Sequence, residues 1–129
     1  MKFKSLFLLL LAALTLVSCS HTSKCKVKFL SLGVESFEKF IQHDDVYLVD
    51  VRTAQEHAQG SIEGTDENLD VRGATFFSDF KRLPKDKTIA VYCKGGGRSK
   101  QVAGVLAGNG YKVVELATGY DGWVKHHQQ

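Results

Sequence analysis

Two rhythms alternate along this chain. Tyr47-Leu48-Val49-Asp50-Val51 and Thr88-Ile89-Ala90-Val91-Tyr92 are nearly unbroken apolar runs, the pattern of strands buried on both faces. Residues 26–32, with Val27, Phe29 and Leu32 among polar neighbours, predict a short first strand, and 111–116 predict a late one. Elsewhere the spacing is helical. Phe37, Phe40 and Ile41 form an i, i+3, i+4 stripe over 35–42. Thr53, with Glu56 three residues on, matches a capping box. Phe76, Phe77, Phe80 and Leu83 share one face of a helix predicted over 75–83, which Pro84 stops. Val102, Val105 and Leu106 give 99–107 an inner face before Gly108-Asn109-Gly110 ends it. A last helix is predicted over 122–126, and 62–71 reads as loop with an extended piece around Leu69 and Val71. Strands alternating with helices predict an α/β domain whose largely parallel sheet is covered on both faces. Such sheets bind ligands outside the carboxyl ends of their strands. Two segments reach that edge with suggestive chemistry: Asp50-Val51-Arg52, and the stretch from Cys93 onward.

The first residues follow another pattern. Lys2 and Lys4 precede an apolar run from Leu6 to Val17, too short for a hydrocarbon core of roughly 30 Å, which takes about 20 helical residues. A basic start, a short apolar centre and small residues at the end describe a secretory signal over 1–18. Leu16-Val17-Ser18-Cys19 resembles the lipobox of bacterial lipoproteins. That resemblance implies that Cys19 becomes the first mature residue and carries lipid, since several acyl chains anchor stably where one is marginal. It also implies a polar tether over 19–25 and a domain over 26–129 facing the periplasm or an equivalent envelope space, with Ser20 of the kind that permits the outer membrane. The alternative is an ordinary cleaved signal with a chance cysteine near its end.

Removing the leader leaves about 111 residues, the size of one domain. Hydrophobic residues at 43%, charged residues at 24% and a single proline argue for a folded globule. Without Lys2 and Lys4 the net charge falls from +3 to about +1, which removes the electrostatic case for nucleic-acid binding. Three cysteines, Cys19, Cys25 and Cys93, cannot build a disulfide framework. Cys25 belongs at the amino edge of its strand and Cys93 at the carboxyl edge of another. A disulfide needs Cα atoms within about 7 Å, so no internal bridge is expected, and Cys25 reads as a free thiol or an intermolecular contact.

The segment Cys93-Lys94-Gly95-Gly96-Gly97-Arg98-Ser99 predicts a specific environment. Glycines let the backbone curl with positive φ and turn its N–H groups inward, as an anion nest does. The helix that follows adds its positive end. Arg98 adds a permanent charge, and Lys94 either adds another or is simply solvated. Together these favour thiolate at Cys93, with a pKa below about 8.5.

These residues carry a resemblance. Tyr92 to Ser99 looks like the active-site loop of single-domain rhodaneses, Cys-x-x-Gly-x-Arg-Ser, with Gly96, Arg98 and Ser99 on matching positions. Asp50-Val51-Arg52 with Glu56 resembles the family's Asp-x-Arg…Glu segment. Gly60-Ser61-Ile62-Glu63-Gly64 with Asn68 resembles Gly-His-Ile-Pro-Gly-Ala…Asn, and Gly119-Tyr120-Asp121-Gly122-Trp123 its closing Gly…Trp motif. The likeness spans about 27–125. Ser61, Glu63, Thr65 and Thr118 stand where the family usually has His, Pro, Ala and Gly, and one extra residue lies between Gly64 and Asn68. These departures are expected to lie away from the catalytic loop. The resemblance implies a three-layer fold around a mostly parallel five-stranded sheet. It also implies transfer of sulfane sulfur, through a Cys93 persulfide, from a small anion such as thiosulfate to a thiol or cyanide. No metal or organic cofactor is implied.

Other readings compete. Related phosphatases place five residues between cysteine and arginine, whereas Lys94 to Gly97 are four, a ring better sized for one sulfur atom than for a phosphate. A non-catalytic rhodanese-like module would bind a protein or carry sulfide. Cys93 could also be a small buried hydrophobe at a strand end. Asp50 and Arg52 read either as structural, with Asp50 holding backbone N–H groups and Arg52 pairing with Glu56, or as substrate contacts. His126 and His127 read as a polar terminus, since no other ligands have metal-site spacing.

Overall fold

The computed structural model describes residues 28–129; the leader, Cys19, the tether and Cys25 lie outside the described residues. The sheet contains β1 (Leu30–Leu32), β2 (Val46–Asp50), β3 (Glu67–Asn68), β4 (Thr88–Tyr92) and β5 (Lys112–Leu116). Its order is β1-β5-β4-β2-β3, with every pairing parallel. β4 is therefore central, flanked by β2 and β5, and its run from Ile89 to Tyr92 is buried. Full burial of both faces is why this strand carries no alternating polar positions.

Helices cover both faces. α1 (Val34–Phe40) and α5 (Gly119–His127) lie on one side, where Phe37, Tyr120 and Trp123 pack against Leu48, Ala90, Tyr92, Val114 and Leu116. On the other side α3 (Phe76–Asp79), the turn that follows it and α4 (Gly97–Gly108) bring Phe76, Phe80, Val102, Ala103 and Leu106 onto Val49, Val51, Ile89, Val91 and Val113. The short α2 (Ala54–Ala58) follows β2 at the carboxyl edge. The rhodanese-like three-layer α/β architecture is thus present, with five parallel strands. Thr53 caps α2 as expected: its hydroxyl accepts from the Glu56 amide, and Glu56 returns a contact to the Thr53 N–H.

Three expectations need correction. The helix over 75–83 lasts one turn as α3, then tightens into a 3-10 turn over Phe80–Arg82. Pro84 disfavours helical dihedrals in the residue before it, and Leu83 is extended at φ −60°, ψ 144°. Phe76, Phe80 and Leu83 still reach the core, but Phe77 does not share their face and is 69% exposed. The extended piece after β2 lies earlier than Leu69 and Val71, at Glu67–Asn68. There the Asn68 amide donates to the carbonyls of Asp50 and Arg52, fixing the register with β2. Lastly, α5 begins at Gly119, three residues before the predicted start.

Candidate active site

β2 and β4 run side by side, with Asp50 opposite Tyr92, so Asp50-Val51-Arg52 and Cys93 emerge together at the carboxyl edge. Cys93 leaves β4 and the chain turns directly into α4. Gly96 is the N-cap of that helix, left-handed at φ 100°, and has no side chain to offer the free amides. The Cys93 sulfur takes that place. Its Sγ accepts from the Gly96 N–H at 3.0 Å, and the Ser99 hydroxyl lies 3.5 Å away.

The sulfur is covered. Cys93 is 1% exposed and touches the core cluster that includes Val91 and Val102. Burial alone pushes its pKa up, but the hydroxyl and amide of Ser99 and the amides of Gly96 and Gly95 outweigh it. The thiol is held below its ordinary value.

The cations arrange themselves differently from expectation. Arg98 does not bond the sulfur; its guanidinium grips Glu56 with two hydrogen bonds of 2.8 Å. That contact holds the Glu56 carboxyl well below the usual carboxylate range. Glu56 is therefore not the partner of Arg52. Arg52 instead pairs with Asp50, whose carboxylate also accepts the Arg52 amide at 2.9 Å and lies 2.9 Å from His57 Nδ1. Burial pushes the Asp50 carboxyl up, but these bonds from Arg52 and His57 overcome it and its pKa is lowered. Arg52 also donates to the Gly60 carbonyl at 2.6 Å and lies 4.3 Å from the Tyr120 ring. Lys94 reaches Asp121 at 3.0 Å, exposed to solvent. Each expected cation is thus matched by a carboxylate, and the donors that face the sulfur are the loop amides, Ser99 and the start of α4.

The loop is clamped from the far side. The Tyr120 amide donates to the Cys93 carbonyl at 2.7 Å and that of Asp121 to the Lys94 carbonyl at 3.0 Å. Gly119, at φ 62°, allows this contact: a Cβ there would fall 2.3 Å from the Lys94 oxygen. Likewise a Cβ on Gly96 would fall 2.1 Å from the Ala117 oxygen. A cleft of about 230 Å³ beside the loop is lined by Arg52, Glu56, Gln59, Lys94, Tyr120 and Asp121. The Gly119 to Trp123 motif lies under the loop, a placement that the motif by itself does not give and that its paired glycines signal. Glu115, which no motif marks, is a buried carboxylate on β5 that accepts from the Ser99 hydroxyl at 3.1 Å.

The profile of the rhodanese-like domain matches residues 33–126. The chain belongs to the rhodanese family. A sulfurtransferase of Allochromatium vinosum is 33% identical over 90 residues, covering 69% of this chain and 81% of that protein. A putative sulfurtransferase of Bacillus subtilis is 31% identical over 86 residues, covering 67% and 81%. A rhodanese-related protein of Thermoplasma volcanium has a similar structure, with a TM-score of 0.68 and 26% identity, covering 76% of this chain and 93% of that one.

Within this rhodanese domain the departures from the family motifs have distinct surroundings. Ser61 and Glu63 line a cavity of about 680 Å³ with Trp123 and His127, apart from Cys93. Thr65 supplies a hydroxyl 2.9 Å from the Tyr92 hydroxyl, and Tyr92 also accepts the Ile62 amide at 3.1 Å. Thr118 does not lie away from the loop as expected: it heads α5, whose next three residues form the clamp.

Proposed function

We propose that this rhodanese domain is a sulfurtransferase that carries sulfane sulfur on Cys93. The observation that supports it most directly is the sulfur seated on the Gly96 amide at the start of α4, with its pKa lowered. The thiolate attacks the outer sulfur of thiosulfate. A new S–S bond forms, the bond within thiosulfate breaks, and sulfite leaves with the electron pair. Cyanide or an acceptor thiol then attacks the terminal sulfur of the persulfide and returns Cys93 as thiolate. Electrons balance without a cofactor, since sulfur is the only group moved. The loop amides stabilise the charge on the persulfide as they do on the thiolate.

The donor must reach a covered atom. Gly95 and Gly97 have open space where side chains would stand, so no side chain at these two positions blocks the approach to the loop. The leader motif supports a further part of the proposal, in which lipid on Cys19 ties the domain to a membrane in the cell envelope. Incorporation of labelled palmitate, lost in Cys19→Ser, tests that part.

Initial rates of thiocyanate formation from thiosulfate and cyanide test the chemistry. Parallel double-reciprocal lines, the mark of a two-step exchange, are expected. Hydrolysis of an aryl phosphate without thiocyanate formation would instead favour the phosphatase reading. Neither reaction would leave a binding module.

A further inference from the structure

Glu115 on β5 is completely buried. Its neighbours in the sheet register are Ser31 on β1 and Val91 on β4. The Ser31 hydroxyl donates to Oε1, and Ser99, from α4, faces Oε2 at 3.1 Å. No cation compensates it: among the described residues none of the ion pairs includes Glu115. Arg98 on the same helix is turned to Glu56, and Lys100 is exposed. Cys93 is the other ionisable group in this cluster, reached through the same hydroxyl at 3.5 Å.

Ser99 has one hydroxyl proton and three acceptors around it: the Gly96 carbonyl, Glu115 Oε2 and, once ionised, the Cys93 sulfur. With Cys93 as thiol, the S–H donates to Ser99 and Ser99 donates onward. With Cys93 as thiolate, the Ser99 hydroxyl joins the loop amides in donating to sulfur, and Oε2 loses its donor. A proton on Oε2 resolves this by donating to Ser99 Oγ. Both end groups are sealed from water, so the thiol proton has a carboxylate at hand and little solvent.

We propose that Glu115 shares one proton with Cys93 through the Ser99 hydroxyl, acting as a positioning residue for the ionised sulfur. In the forward step the S–H proton passes to Ser99 Oγ while the Ser99 proton passes to Oε2. One S–H and one O–H bond break, two O–H bonds form, and the negative charge moves from carboxylate to sulfur without any redox change. The proposal rests on the persulfide reading, but its test reads the thiol alone, so the two can fail separately.

The experiment is the pH dependence of Cys93 alkylation by iodoacetamide in the full-length protein and in Glu115→Gln. A shared proton gives the native protein two steps separated by a plateau, because over that range the exchange is internal and independent of pH. The amide of Glu115→Gln can donate to Ser99 but cannot take the proton. Its profile is a single step, with a tenfold rate change per pH unit below the midpoint. A single step in the native protein overturns the proposal whatever the midpoint of Glu115→Gln, since a Glu115 that only packs or acts through its charge gives no plateau. Should Glu115→Gln fail to fold, infrared difference spectra of native protein against Cys93→Ser decide. A protonated-carboxyl C=O band at neutral pH, lost in Cys93→Ser, supports the shared proton; its absence refutes it.

Discussion

Arg98 and Glu56, 42 residues apart, are joined by two hydrogen bonds of 2.8 Å, and this pair ties α4 to the cap of α2. The Arg98 charge acts on Cys93 through space while being largely matched by the carboxylate. Glu56→Gln keeps a side chain able to return the capping-box contact and removes the matching charge. The Cys93 thiolate is then better stabilised, and its ionisation midpoint is expected to fall. Thiolate absorbance followed against pH measures this; an upward movement would mean that Arg98 stabilises the loop only through Glu56.

Gly96 and Gly97 stand side by side with opposite tolerances. Gly96→Ala places a Cβ against the Ala117 oxygen at a positive φ, and left-handed backbone alone costs an L-residue roughly 1–2 kcal/mol. The loop must shift, and with it the amide that faces sulfur. Loss of one such donor typically costs on the order of 10²-fold in rate. Gly97→Ala meets open space at the first residue of α4, and a drop of less than threefold is expected. Persulfide formation rates and urea midpoints of the two variants make the comparison.

Asp50 and Arg52 form a buried ion pair, 0% and 3% exposed. Asp50→Asn leaves a guanidinium held by the Gly60 carbonyl and two aromatic rings. Breaking one side of such a pair costs roughly 3–5 kcal/mol. The sign with pH follows from the lowered folded pKa of Asp50. Its stabilisation is full above the unfolded value of about 3.9 and is lost as pH falls through the folded one. Urea denaturation of the native protein should weaken below about pH 4, and less steeply in Asp50→Asn.

The sequence makes some of this legible. Apolar runs longer than any alternating pattern mark β2 and β4 as central, and Cys93 ahead of three glycines and Arg98 marks the loop. Thr53 and Glu56 show their cap because its partners are three residues apart. Pairings across the fold are not legible in this way. Glu56 has two arginines within plausible reach, and the choice of Arg98 over Arg52 depends on where β4 and α4 put them. Phe77 fits the apolar stripe with Phe76 and Phe80 until Pro84 shortens the helix. Glu115 carries no sign of its surroundings in the sequence, because its partners, Ser31 and Ser99, come from 84 and 16 residues away.

Tyr92 reports on the packing beneath the site. Burial pushes its hydroxyl up to about 12, against opposing bonds from Thr65 and the Ile62 amide. A raised pKa means stability that is present below the unfolded value of about 10 and lost as pH rises toward 12. Tyr92→Phe strands the buried Ile62 amide and should cost about 1–3 kcal/mol. Tyrosinate absorbance and urea midpoints between pH 9 and 12 follow both effects.

Mass spectrometry of the peptide containing Cys93, after incubation of the protein with thiosulfate, reads the sulfur carrier itself. One added sulfur atom on Cys93, discharged by cyanide and never formed in Cys93→Ser, is the expected result. An unmodified Cys93 peptide, from folded protein whose thiol is reduced, would contradict sulfur transfer at this site.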